Sequence, residues 1–222
     1  MASSQYTGDV EVGGPADVRE LPGLIISKVA VSEMSNNAYL LRCTATGEAL
    51  LVDAAAEPDT LRTLIGDADL RTVVTTHGHW DHHRALPDVV AATGALPVAH
   101  AADAPDLPVP VGRTVGHGDT VPVGEQVLEV VHLRGHTPGS IALVWRGPED
   151  AGVHVFTGDS LFPGGVGNTR KDAARFASLI DDVEQRLFDV LPDGAWVYPG
   201  HGKDTTLGAE RPHLAEWRAR GW

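Results

Sequence analysis

A chain of 222 residues with 42% apolar content is long enough to bury one sizeable core. With 17 Lys+Arg against 30 Asp+Glu the formal net charge is −13, a surface that repels phosphate backbones and anionic membranes and so excludes general nucleic-acid or membrane-surface binding. The single cysteine, Cys43, excludes an internal disulfide framework and fits a reducing, cytoplasmic setting, no run has the apolar length of a bilayer span, and the polar start does not read as a secretory signal.

In chain order, residues 1–19 lack periodicity and are expected to form a flexible arm ahead of one domain spanning 20–222. Short runs rich in Leu, Ile and Val at 24–29, 38–42, 50–53 and 72–76 read as strands. A brief helix is expected at 60–65, after the acidic Glu57-Pro58-Asp59, and another at 86–93, closed by Gly94. Further strands are expected at 127–132, 141–145, 153–157 and 196–198. Between the last two, residues 173–191 place Phe176, Leu179, Ile180, Val183, Leu187 and Leu191 at helical spacing, the longest amphipathic helix in the chain. The residues after Arg211-Pro212 suggest a short terminal helix ending at Gly221-Trp222. Strands first and helices later in each half suit an α+β arrangement of two packed sheets with helices outside.

Eleven histidines in an acidic chain raise the question of metal ligation. The segment Thr76-His77-Gly78-His79-Trp80-Asp81-His82 follows an apolar run. At strand spacing His77, His79 and Asp81 would project to one side, with His82 approaching from the turn that follows. That offers two nitrogens for one ion, and a carboxylate and a nitrogen for a neighbour. Three further candidates stand singly at strand ends beside glycines: His136 in Gly-His-Thr-Pro-Gly-Ser (135–140), Asp159 in Thr-Gly-Asp-Ser (157–160) and His201 in Pro-Gly-His-Gly (199–202).

Taken together, the His-x-His-x-Asp-His segment followed by His136, Asp159 and His201 resembles the metallo-β-lactamase superfamily, with all seven positions present in order. The resemblance implies an αββα sandwich of two mixed sheets with the site at one edge. It also implies that His77, His79 and His136 hold one divalent ion and Asp81, His82 and His201 a second, with Asp159 bridging. Zinc is the expected metal, with iron or manganese compatible with the same donors. Asp53, at a strand end before the site, is expected to support the ligands from behind.

The neighbouring motifs, including Gly-Asp-Ser-Leu-Phe-Pro-Gly-Gly (158–165) and Thr-Leu-Gly-x-Glu-Arg-Pro (206–212), look most like glyoxalase II. True β-lactamases lack the bridging aspartate. The resemblance implies hydrolysis of a small acyl compound, a thioester first, by a hydroxide shared between ions about 3.5–4 Å apart. Asp81 would orient that hydroxide and Asp159 hold the spacing, so both are read as catalytic. A thiolate has a pKa near 8.5 and needs no separate acid to leave. The glutathione enzymes carry a further helical segment and a Cys-Gly-basic loop. Here the loop runs to Asn168, with Arg170 and Lys171 following, and these three are the expected substrate contacts. Three alternatives stay open: an esterase or lactonase of the same fold, a mononuclear iron enzyme similar to the persulfide dioxygenases, using His77, His136 and Asp159, and a catalytically silent metal protein used for binding.

Other residues read as structural. His83 would face away from the site, His132 and His154 would pack in or beside strands, and Cys43 belongs to a core strand. Trp80, Trp145, Trp196, Trp217 and Trp222 are expected in packing roles. Arg134 suits either a substrate contact or a surface ion pair.

Overall fold

The computed structural model describes residues 6–148 and 150–221. The first sheet holds seven strands in sequential order: β1 (Asp17–Leu21), β2 (Leu24–Val31), β3 (Asn36–Cys43), β4 (Glu48–Val52), β5 (Asp69–Val74), β6 (Leu96–His100) and β7 (Arg113–Val115). Its first four strands run antiparallel, and β4 through β7 are parallel. The second sheet is built from β8 (Thr120–Val123), β9 (Gln126–His132), β10 (Ile141–Arg146) and β11 (Val153–Gly158). After the small hairpin β12 (Leu161–Phe162) and β13 (Gly165–Val166), it is completed by β14 (Trp196–Pro199), parallel to β11, and by the edge strand β15 (Thr205–Thr206). Both sheets are therefore mixed, and helices cover their outer faces: the expected αββα sandwich.

Alternation along the strands divides the core into three layers. Leu24, Ile26, Tyr39, Leu41 and Val52 of the first sheet meet Leu128, Val130, Leu143 and Phe156 of the second between the sheets. Their neighbours Val29, Val31, Ala38, Leu40 and Leu51 point outward, beneath α1 (Pro58–Ile65) and α2 (Leu86–Thr93). On the opposite side, Val131, Ala142, Val144 and Val155 lie beneath α3 (Ala173–Val183). Because both faces of each sheet are covered, the central strands read as unbroken apolar runs, which made them visible in the sequence.

Helix α3 starts where Asp172 accepts hydrogen bonds from the Ala174 and Arg175 amides. It ends in a wide π turn, Glu184–Phe188, closed by the Asp189 amide on the Glu184 carbonyl, and Leu187 and Phe188 are both buried there. The expected helix over 173–191 thus changes pitch after Val183. Short helices α4 (Leu207–Glu210) and α5 (Leu214–Arg220) follow, and Gly221 caps α5. Among the described residues no helix is long and apolar enough to cross a membrane.

Several elements differ from expectation. Strands β6 and β8 contain proline, and β7 is three residues long, so their pairing comes from neighbours rather than from their own propensity. Of the expected flexible arm, residues 1–5 lie outside the described residues, but the described part is docked. Residues 17–19 belong to β1, and Tyr6 packs edge-on against Trp196 with its hydroxyl on Asp204 at 2.6 Å. Strand β5 ends at Val74 rather than Thr76. The Thr76 amide turns instead to the Asp53 carboxylate at 2.7 Å, and the Thr76 carbonyl accepts from Ile141 of the other sheet.

Candidate metal centre

The seven expected ligands converge where strands of both sheets end. His77 and His79 lie on an irregular segment after β5, not on the strand itself, and Asp81 and His82 on the tight turn Trp80–His82. His136 comes from the β9–β10 loop, Asp159 from the turn after β11 and His201 from the residues after β14. Strand alternation therefore does not explain how His77, His79 and Asp81 share a cavity; an irregular backbone does.

Two triads emerge. Ligand atoms of His77, His79 and His136 lie within 4.8 Å of one another, and so do those of Asp81, His82 and His201. Asp159 lies between them: Oδ1 is 3.4 Å from His82 Nε2, while Oδ2 is 3.5 Å from both His136 Nε2 and His201 Nε2 and 3.9 Å from His77 Nε2. Gly200 permits this approach, since a Cβ there would fall 2.2 Å from Asp159 Oδ1.

The donors fit metal ions better than they fit one another. His77 Nε2 and Asp159 Oδ1 are buried without a hydrogen-bond partner. His79 Nδ1 faces His136 Nε2 at 2.9 Å, and His82 Nε2 faces His201 Nε2 at 3.2 Å. Two imidazole lone pairs cannot face each other at that distance unless a proton or another cation lies between them. Without metal, protons take this role. Burial works against a charged His82, yet Asp159 and Asp53 outweigh it and raise the ring to about 10. His201 is raised to about 9 against burial by its bonds to Asp159 and Asp81. In the other triad burial prevails, holding His136 near 4 and His77 well below its ordinary value. Burial would raise Asp159 and Asp81, but the surrounding imidazoles hold both below the carboxylate range, with a bond from Asn36 adding to the effect at Asp81.

Three of the five rings are aimed from behind by a carboxylate or carbonyl. Asp53 accepts from His82 Nδ1 at 2.8 Å and from the Thr76 amide and hydroxyl, and is buried. Its φ of 58° lies in the left-handed region, a strained setting that aspartate tolerates better than most residues. His136 Nδ1 donates to the Asn168 carbonyl and His201 Nδ1 to the Met34 carbonyl, both at 2.9 Å. Two supports were not anticipated. Asn36 Nδ2 donates to Asp81 Oδ2 at 2.9 Å while its own Oδ1 accepts from Ser32. Lys28, fully buried, donates to the Gly202 carbonyl beside His201, to the Gly8 carbonyl and to Asp204 Oδ1, at 2.6–2.7 Å. A signal for the first existed: two consecutive asparagines opening a strand run against strand propensity.

A cleft of about 600 Å³ opens beside the first triad, lined by His79, His136, Arg134, Arg170, Arg175 and Asp106 among others. Of the three expected substrate contacts, Arg170 lines it. Asn168 instead turns its carbonyl to His136 and its side chain to the Arg170 amide, and the exposed Lys171 lies outside the lining. Arg134 lines the cleft and forms a two-pronged pair with the buried Asp182 at 2.8 Å. Arg175 was missed; it donates to the Gly135 carbonyl at 2.7 Å and to the His136 carbonyl.

The residues read as structural are accounted for as follows. His83 bonds the Gly78 carbonyl, His132 stacks on His100, His154 is buried against Tyr198, and Cys43 is buried. Trp145 and Trp217 are core residues, but Trp80 is 56% exposed with the Arg84 guanidinium over its ring, because the Trp80–His82 turn faces outward there. Trp222 lies outside the described residues.

The family model described as Metallo-beta-lactamase superfamily matches residues 31–201. The hydroxyacylglutathione hydrolase of Polaromonas is 36% identical over 168 residues, covering 73% of this chain and 60% of its own length. The chain spans between half and two thirds of this relative and of those bearing the same name in Rhodospirillum rubrum and Fuscovulum blasticum. Among solved structures, ETHE1 from Myxococcus xanthus is 31% identical with a TM-score of 0.74, over 87% of this chain and 84% of that one. TTHA1623 in a di-iron-bound form is also 31% identical, with a TM-score of 0.66 over 83% of this chain and 96% of that one.

Proposed function

The chain belongs to the metallo-beta-lactamase superfamily, and we propose that it is a binuclear metal-dependent hydrolase of small acyl compounds, with a thioester as its preferred substrate. The observation that carries this reading is the pair of triads with Asp159 between them. In it, His77, His79 and His136 would hold one ion and Asp81, His82 and His201 the other, with Asp159 placed to serve both. When bound, the ions supply Lewis-acid polarisation of a carbonyl and acidify water.

The chain's own groups do the rest. Asp53, the Asn168 carbonyl and the Met34 carbonyl take the outer ring protons of His82, His136 and His201, so that the inner nitrogens present lone pairs to the site. Asn36 fixes one oxygen of Asp81, leaving the other to accept a hydrogen bond from attacking water. The cleft beside His79 and His136 receives the acyl compound, and Arg170 contacts it at the rim. A thiolate departs without a proton donor, which suits a site whose titratable groups are engaged as ligands. The names of the relatives at 34–40% identity support a thioester over an ester or lactone. The catalytic unit in this proposal is one domain spanning 20–222, acting in the cytoplasm, where the buried Cys43 stays a free thiol.

Metal analysis of protein purified without chelator, paired with thioester hydrolysis assays, tests the reading. About two zinc, iron or manganese ions per chain are expected, and Asp159→Ala is expected to lower turnover by roughly 100-fold or more. Full turnover in that variant would refute the shared-ligand arrangement. One iron per chain without hydrolysis would replace it with a mononuclear site on His77, His136 and Asp159.

A further inference from the structure

Asp103 has no place in the ligand set, yet it is buried, 1% exposed, on the loop that follows β6. Every hydrogen bond its carboxylate accepts comes from the two loops that carry the first triad. Oδ2 accepts from the Gly78 amide at 2.8 Å, between His77 and His79 in sequence, and from the Thr137 hydroxyl at 2.5 Å, next to His136. Oδ1 accepts from the Gly139 amide at 2.7 Å. The turn that presents Asp103 is itself closed, by the Asp103 amide on the His100 carbonyl and by the Asp106 amide on the Asp103 carbonyl.

Gly139 is part of this construction. A Cβ there would lie 2.7 Å from the Asp103 carboxyl carbon and 2.8 Å from its backbone nitrogen, so only glycine lets that amide reach the carboxylate. The Thr137 hydroxyl also sits 2.6 Å from Ser140 Oγ, and the Ser140 hydroxyl accepts from the Thr137 amide at 3.1 Å, which locks the loop around Asp103. The second triad has different supports. Asp81 and His82 lean on Asn36 and Asp53, and the residues around His201 on Met34 and Lys28.

We propose that Asp103 is a positioning residue that ties the His77–His79 segment to the His136 loop, and thereby sets the affinity of the first triad for its ion without touching that ion. The inference rests on the two-metal reading and adds an asymmetry within it: Asp53 reaches both halves, through His82 and through Thr76 beside His77, whereas Asp103 braces the first triad alone. A carboxylate that accepts from two backbone amides and a hydroxyl pins all three donors at once. Its loss frees two loops that together carry the three imidazoles of the first triad.

The test is zinc retention under graded chelator competition, by metal analysis, for the wild type, Asp103→Ala, Asp103→Asn and Thr137→Val, with thermal unfolding of the stripped proteins alongside. Two ions in the wild type, whatever the variants do, supports the two-metal reading by itself. In Asp103→Ala one ion should keep its wild-type affinity and the other should weaken roughly 10–100-fold, the range found for supporting partners of ligands. Asp103→Asn should fall between, since its amide oxygen still accepts but its NH2 cannot. Thr137→Val removes a single arm and should shift the same ion by less; it serves if the Asp103 variants do not fold. In a His201→Ala background, which leaves the first triad whole, Asp103→Ala should weaken the ion that remains. Equal weakening of both ions together with a lowered melting point of the stripped protein would make Asp103 a general brace and overturn the proposal. Unchanged affinity for both ions would also overturn it. If the wild type holds one ion only, the two-metal reading fails while the proposal stands or falls on whether Asp103→Ala weakens that ion.

Discussion

Replacing Lys28 with methionine removes a buried charge of similar shape and leaves the Asp204 carboxylate without its counter-charge, while the Gly202 and Gly8 carbonyls each keep a second donor, Asn37 Nδ2 and the Asp204 amide. Lys28 and Asp204 side chains are 0% and 1% exposed, with Nζ 2.6 Å from Oδ1, and the Gly8 and Gly202 carbonyls share the ammonium at 2.7 Å. Burial lowers the Lys28 pKa and raises that of Asp204, and the contact between the two groups opposes both shifts. Breaking such a pair from one side costs about 3–5 kcal/mol, since the remaining charge is uncompensated. For a chain of this length each kcal/mol moves the melting point by roughly 2–4 °C, so a fall of roughly 6–20 °C is expected. The assay is calorimetric or denaturant unfolding of metal-free protein, because bound metal adds its own stabilisation. Adding Asp204→Asn to Lys28→Met should restore part of the loss, since the stranded charge goes with it, giving a coupling energy of about 1–3 kcal/mol. A single variant within 1 kcal/mol of wild type, or strictly additive single and double variants, would refute the view that this pair fastens the N-terminal segment to the residues around His201.

Three further outcomes are expected. His154 is held near 4 by burial, against an ordinary 6.5, with Nδ1 facing the Tyr198 hydroxyl and Nε2 the Ala151 carbonyl. The unfolded chain therefore binds this proton first, and the stability it contributes, roughly 3 kcal/mol, is complete above pH 6.5 and is lost as pH falls from there to about 4. Comparing unfolding midpoints of wild type and His154→Gln across pH 4–7 checks it: the difference should shrink toward low pH, and a constant difference would contradict it. Asp53→Asn should lower metal affinity by roughly 10–100-fold, read by chelator competition, because the amide cannot accept from both His82 and Thr76 as the carboxylate does. Adding zinc to stripped protein in weakly buffered solution should release protons, since His82 and His201 carry them in the metal-free state; a pH-indicator titration showing none would contradict the proton-filled site.

What the sequence determined by itself was the inventory and the scaffold. Strands covered on both faces, such as β3 and β10, appear as apolar runs, and α3 as a helical stripe. Ligands are legible because a metal site needs particular atoms: His77, His79, Asp81 and His82 stand within six residues, and His136, Asp159 and His201 each follow a glycine or precede one. The tertiary structure alone decided how those atoms meet. The irregular path after β5 depends on Asp53 drawing the Thr76 amide out of the ladder, from a residue 23 positions away. Asp103 and Lys28 carry no motif, since a buried carboxylate or ammonium is spelled like an exposed one. Their partners are largely backbone amides and carbonyls, which every residue has, so only the fold determines which of them point at a buried charge.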